Sequence, residues 1–291
     1  MFHGSIVALV TPFRNGALDE QAFQGLVAWH LEEGTQGFVP VGTTGESPTL
    51  DHAEHERVIE LCVAAVAGRA PVIAGTGSNS TDEAISLTRH AKRAGADAAL
   101  VVTPYYNKPT QEGLYAHYRA IHDAVELPLI IYNIPGRSVV DMTPETMARL
   151  ARLPNIVGVK DSSADIVRPL HTHAACGSGF CQLSGEDANI VAFLAHGGHG
   201  CISVTANVAP RLCAQLHRAW RDGRPDEALA VHRRLLPLHK ALFCETSPAP
   251  AKYALSRLGR SSAEVRLPLV ELSERGRAEV DAALVAVGLA N

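Results

Sequence analysis

The chain has 291 residues, 46% of them hydrophobic and 19% charged, a composition that buries a large core and excludes disorder. Its 26 Lys plus Arg against 30 Asp plus Glu leave a formal net charge of −4, with no basic surplus to displace counterions, which argues against nucleic acid as the main partner. The longest apolar run, 282–290, is nine residues, whereas a transmembrane helix needs about 18 to 20, so no membrane span is expected.

The chain opens MFHGSIVALVTP, with no Lys or Arg ahead of its short apolar run. It does not read as a signal peptide, and a cytoplasmic location is the expectation. Strand-length apolar runs then recur at 5–11, 37–42, 71–76, 98–103, 128–133, 156–161, 181–185 and 200–205, each followed by a longer stretch of helical periodicity. Most lack strict alternation, as parallel strands covered on both faces do. Asp51 followed by Glu54, Ser80 followed by Glu83, and Thr143 followed by Pro144 supply helix-start chemistry. Eight such units, with no G-x-G-x-x-G after the first strand, predict an α/β fold of the TIM (β/α)8 type over residues 1–222 in preference to a doubly wound sheet. The stretch RDGRP at 221–225 reads as a linker. Only helical patterns follow, near 225–243, 250–258 and 273–287, predicting a small C-terminal helical appendage over 223–291.

Six cysteines without a C-x-x-C pair suit reduced core thiols. Among the fourteen histidines, the pairs His52/His55, His171/His173 and His196/His199 have ligand-like spacing but no H-E-x-x-H pattern, and no metal site is expected.

A TIM barrel carries its chemistry at the C-terminal ends of its strands. Those ends are strongly polar here: Gly42-Thr43-Thr44-Gly45-Glu46, Thr103-Pro104-Tyr105-Tyr106-Asn107, Tyr132-Asn133, Lys160-Asp161 and Ser184-Gly185-Glu186-Asp187. Of five lysines, Lys92, Lys108, Lys240 and Lys252 fall on predicted helices or in a loop, leaving Lys160 alone at a strand end. Burial there disfavours an ammonium and supplies the neutral amine that attacks a carbonyl. The Gly-Thr-Thr-Gly turn offers close backbone approach, amide donors and two hydroxyls, a combination suited to a small carboxylate. Tyr132 and Tyr106 can pass protons when bonded to a hydroxyl such as that of Thr43. Arg137, on the short loop after Tyr132, can fork onto a second carboxylate. Taken singly, each has a plainer role, as a solvated lysine or arginine, a tight turn, or aromatic packing at the barrel rim. It is their combination that points to a lysine-based enzyme.

The runs Gly4-Ser5-Ile6-Val7-Ala8, Val41-Gly42-Thr43-Thr44-Gly45-Glu46-Ser47, Val72-Ile73-Ala74-Gly75-Thr76-Gly77, Val102-Thr103-Pro104-Tyr105-Tyr106-Asn107, Tyr132-Asn133-Ile134-Pro135, Gly158-Val159-Lys160 and Gly198-His199-Gly200-Cys201-Ile202-Ser203-Val204-Thr205 closely resemble the dihydrodipicolinate synthase family. That family sits within the class I aldolase superfamily that also includes N-acetylneuraminate lyase. The resemblance covers nearly the whole chain. It implies a lyase of the diaminopimelate and lysine branch that condenses pyruvate with aspartate semialdehyde and needs no cofactor beyond the covalent Schiff base on Lys160. It further implies that Thr43 and Thr44 bind the pyruvate carboxylate and that Tyr132, Thr43 and Tyr106 relay protons, with Tyr106 contributed by a neighbouring subunit. Arg137 would hold the semialdehyde carboxylate, and Gly185 and Ile202 would line the site.

The same resemblance implies a homotetramer built as a dimer of dimers, with lysine as inhibitor at Ser47, His52, His55, Gly77, Asn79, Glu83 and Tyr105. Two departures from the family pattern stand out: Pro48 where a small residue is usual, and Thr246-Ser247-Pro248 where Asn-Pro is usual. Two alternatives remain in view. One is an N-acetylneuraminate lyase-like or 2-keto-3-deoxy sugar acid aldolase, against which Arg137 argues. The other is a catalytically silent barrel sensing pyruvate or lysine, against which the joint presence of the lysine, the threonine and both tyrosines argues.

Overall fold

A computed structural model describes residues 1–290. Its strands are β1 (Gly4–Ala8), β2 (Phe13–Arg14), β3 (Ala17–Leu18), β4 (Gly37–Val39), β5 (Ile73–Gly75), β6 (Ala98–Val102), β7 (Leu129–Asn133), β8 (Ile156–Asp161), β9 (Cys181–Ser184) and β10 (Gly200–Ser203). Eight of them form one parallel sheet in the order β4-β1-β10-β9-β8-β7-β6-β5. A bridge between Phe38 and Val72 joins its two ends, closing the predicted barrel. The antiparallel pair β2-β3 is a small hairpin after the first barrel strand. β8 matches its predicted run, while β4 stops at Val39 where 37–42 was expected, because residues 40–42 already turn at the barrel mouth.

Around the barrel run α1 (Glu20–Glu33), α2 (His52–Val66), α3 (Thr81–Ala94), α4 (Gln111–Ala124), the short α5 (Pro135–Ser138), α6 (Pro144–Leu150), α7 (Arg168–Cys176), α8 (Ile190–Ala195) and α9 (Pro210–Arg221). The helix-start signals act as expected. Asp51 and Glu54 form a reciprocal capping box on α2, Ser80 caps α3, and Thr143 caps α6 with Pro144 in its first turn. Three further helices follow, α10 (Pro225–Ala241), α11 (Ala249–Arg257) and α12 (Glu274–Ala286).

The strand period of two divides the core in two. Along β1, Ile6 and Ala8 join Val39, Ile73, Leu100, Ile130 and Ile202 inside the barrel, while Val7 faces the helix layer with Phe38, Val101 and Ile131. Tyr132 belongs to the inner set, and it pairs in register with Lys160 on β8. Paired residues of adjacent strands share a face, so the lysine side chain is directed into the barrel.

The C-terminal segment does not simply trail from α9. Ser262 Oγ donates to the Phe13 carbonyl at 2.5 Å, and the Glu264 carboxylate accepts the amides of Asn15 and Gly16 at 2.9 and 2.5 Å, tying it to the hairpin above β1. Lys252 of α11, set aside by sequence as one helix lysine among several, is 0% exposed and paired with Glu46. Among the described residues, no helix is long and apolar enough to cross a membrane.

Candidate active site

Lys160 is 6% exposed, with its Nζ 4.1 Å from the centroid of the Tyr132 ring. The space beside it exists because residue 185 is glycine: a Cβ there would lie 1.8 Å from Ser162 Oγ and 2.9 Å from Lys160 Cε. Ile202, fully buried, packs in the same interior cluster as Tyr132. Asp161 accepts from Asn133 Nδ2 at 3.0 Å and from the Ser163 amide at 3.0 Å. Burial holds the Glu186 carboxyl above the usual carboxylate range, neighbouring Asp187 adds to this, and the Lys160 charge opposes it.

The Gly42-Thr43-Thr44-Gly45 turn follows β4. Gly45 N donates to the Gly42 carbonyl at 3.1 Å and Glu46 N to the Thr43 carbonyl at 3.1 Å, while Thr11 Oγ1 grips the Gly45 carbonyl at 2.7 Å. Thr44 is buried and Thr43 half-buried. Val41 and Glu46, at the two ends of the turn, have φ of 48° and 55°, a left-handed backbone that a β-branched or acidic residue rarely takes without support.

Thr43 and the exposed Arg137 line one cavity of about 490 Å³ together with Ser47, Pro48, His52, His55, Gly77, Glu83, Tyr105 and Ser138. Catalytic and regulatory candidates therefore share a single space, although Lys160, Tyr132, Gly185 and Ile202 do not line it. Within it His52 Nε2 meets Glu83 Oε1 at 2.9 Å, and Ser78 Oγ bonds the other Glu83 oxygen. The Ser78 bond, more than the contact with His52, keeps the Glu83 carboxyl below its usual range against a smaller effect of burial. Burial pushes the His55 imidazole down to about 4. Asn79 stands beside this group and accepts from Asn107 Nδ2 through its carbonyl at 2.9 Å.

Tyr106 is not brought to Lys160 within the chain. It has φ 71° and is 89% exposed. Sequence reasoning passed over the residues that hold the visible ones. Asn133 Nδ2 also donates to Asp141 at 2.7 Å, and its Oδ1 accepts the Met142 amide at 3.0 Å, fixing the segment after Tyr132. Ser138 Oγ accepts from Thr103 Oγ1 at 3.0 Å, bracing the short helix that carries Arg137. A polar residue immediately after a catalytic candidate was the available signal for Asn133; no local pattern marks the partner of Glu46. Among the described residues, no group of three or more His, Cys, Asp or Glu could hold a metal ion.

Known proteins share this arrangement along the whole chain. Residues 1–287 match the model of the dihydrodipicolinate synthetase family. The 4-hydroxy-tetrahydrodipicolinate synthase of Rhodospirillum centenum is 68% identical over 289 residues, 99% of each chain. Among solved structures, the chloride-inhibited dihydrodipicolinate synthase of Acinetobacter baumannii complexed with pyruvate superposes with a TM-score of 0.97 at 46% identity, covering 99% of this chain and all of that one. The enzyme of Cyanidioschyzon merolae with lysine bound gives 0.96 at 40% identity, covering 99% of each. With the barrel closed, a buried strand-end lysine set against a tyrosine, and likeness running from end to end, the chain belongs to the dihydrodipicolinate synthetase family.

Proposed function

We propose that this protein is a lyase that condenses pyruvate with L-aspartate 4-semialdehyde to give 4-hydroxy-tetrahydrodipicolinate, feeding diaminopimelate and lysine synthesis in the cytoplasm. The observation that carries this reading is the buried Lys160 amine against the Tyr132 ring, beside the space that Gly185 leaves open. The relatives' names and the pyruvate complex of the Acinetobacter enzyme support the choice of substrates.

The Lys160 amine, once it has given up its proton, attacks C2 of pyruvate, and protonation of the carbinolamine with loss of water leaves a protonated imine. Its positive nitrogen acidifies the methyl group. Removal of one methyl proton gives the enamine, whose carbon bonds to the aldehyde carbon of the second substrate while the new alkoxide takes up a proton. The substrate's own amine then adds to the imine carbon and expels Lys160, closing the ring and returning the enzyme. No cofactor enters these steps. Thr43 and Thr44 hold the pyruvate carboxylate, and Tyr132, Thr43 and Tyr106 move the protons. Tyr106 serves the neighbouring subunit's site, in keeping with its exposure in one chain. Arg137 receives the semialdehyde carboxylate, and a compact second carboxylate argues against a polyol sugar acid in that position. Gly185 and Ile202 shape the pocket.

The assembly is a homotetramer of paired dimers, and lysine inhibits it at Ser47, His52, His55, Gly77, Asn79, Glu83 and Tyr105. A lysine-bound relative and the Glu83 carboxylate facing the shared cavity support this part. The test is a coupled assay with aspartate semialdehyde run beside sialic acid and 2-keto-3-deoxygluconate. Turnover of the semialdehyde alone is expected; preference for either sugar acid would overturn the assignment.

A further inference from the structure

The turn that carries Thr43 and Thr44 ends in a residue whose conformation needs an explanation. Glu46 sits at φ 55°, yet its carboxylate is sealed from solvent at 2% exposure. Its Oε1 accepts from Lys252 Nζ at 2.5 Å and its Oε2 from the Arg266 amide at 3.0 Å. Both partners come from the C-terminal segment, more than 200 residues along the chain. Lys252 is 0% exposed, with its Nζ also 4.1 Å over the Phe13 ring. The Arg266 guanidinium donates to the Thr49 carbonyl at 2.9 Å and to the Glu54 carboxylate at 2.5 and 2.6 Å. The C-terminal segment therefore holds the turn and the start of α2 behind it.

A buried ion pair is a poor route to stability, because desolvation offsets its attraction and an apolar pair of equal volume often serves as well. Burial does pull the Lys252 pKa down, and the Glu46 charge opposes that pull. What the pair does supply is geometry. The Glu46 amide closes the turn on the Thr43 carbonyl at 3.1 Å, while its carboxylate is anchored to Lys252 and to the Arg266 amide, so the same residue ties the end of the Thr43–Thr44 turn to the C-terminal segment. Strained backbone persists where the surroundings over-determine it, and the Glu46 carboxylate is where they grip.

We propose that Lys252 and Glu46 are positioning residues that lock the Thr43–Thr44 turn in the form that receives the pyruvate carboxylate, making helix α11 part of the active-site support. This rests on the reading of that turn as the carboxylate site. The test measures KM for each substrate, borohydride trapping against pyruvate concentration, and circular dichroism on full-length Glu46→Gln, on Glu46→Gln/Lys252→Met, and on Thr44→Val. Both pair variants are expected to keep the wild-type spectrum, to raise the pyruvate KM by about ten-fold, and to leave the semialdehyde KM within about two-fold. An unchanged pyruvate KM in either folded pair variant overturns the positioning role. Loss of fold in both would mark the pair as a requirement of the whole structure and would overturn the local role as well. If Thr44→Val leaves the pyruvate KM unchanged, the carboxylate reading itself fails and the proposal with it; a raised KM in Thr44→Val alone defeats only the part played by Lys252 and Glu46.

Discussion

Lys160 and Tyr132 are cross-strand partners on β8 and β7, and the register that pairs them also sets Nζ 4.1 Å from the centroid of the tyrosine ring. Such a contact follows from strand alternation and needs no flexible loop. The proposed nucleophile and its neighbour are thus both carried by paired barrel strands.

Gly185 leaves little tolerance beside that pair. In Gly185→Ala the added Cβ meets Ser162 Oγ at 1.8 Å and Lys160 Cε at 2.9 Å, so the lysine has to move. The severe clash falls on Ser162 Oγ, and Lys160 Cε has to give by only about half an ångström, less than the roughly 1 Å misplacement that costs about 100-fold in rate. Pre-steady-state trapping of pyruvate by the variant is expected to slow by about ten-fold, with only a small change in thermal midpoint. Wild-type trapping would mean that the lysine has room to spare.

Arg137→Ala is expected to spare pyruvate trapping and to lower kcat/KM for the semialdehyde by roughly 2 kcal/mol, about 30-fold. This is the low end for a charged pair, because Arg137 is exposed in the protomer. Unchanged semialdehyde kinetics would return Arg137 to the solvated surface.

Glu83 faces the shared cavity with its carboxyl held below the usual range by Ser78 and His52, so it remains an anion at neutral pH and can pair with a lysine ammonium. Millimolar lysine is expected to slow the wild type and to have much less effect on Glu83→Ala. Equal inhibition of both proteins would remove Glu83 from the lysine site.

Four buried histidines give stability a predictable pH dependence. Desolvation drives His30 to about 3 and His55, His117 and His217 to about 4 from a reference of 6.5. Their neutral forms belong to the native state, whereas the unfolded chain takes up protons below pH 6.5. Stability is therefore complete above that value and is lost as pH falls towards 4, by roughly 2 kcal/mol per histidine at pH 5. Urea unfolding at pH 7 and pH 5 checks this; equal unfolding free energies would contradict the buried, neutral assignments.

Much of this was legible in the chain because strands and caps are local. The apolar runs, the Asp51-Glu54 box and the solitary Lys160 all lie within short windows of sequence. The grip on the Thr43–Thr44 turn was not legible: Lys252 sits on a helix whose pattern looks ordinary, and its burial depends on Glu46 arriving from the other end of the chain. The exposure of Tyr106 was not legible from residue type or spacing either, since no glycine marks the left-handed position, φ 71°, at which it leaves the barrel mouth.

In the proposed reaction Lys160 bonds covalently to pyruvate, and mass spectrometry after borohydride reduction reads that bond. The wild type incubated with pyruvate is expected to gain one reduced pyruvyl adduct per chain on the peptide containing Lys160, while a folded Lys160→Ala gains none and loses most turnover. An adduct of equal yield on Lys160→Ala, or none on the wild type, would contradict the account.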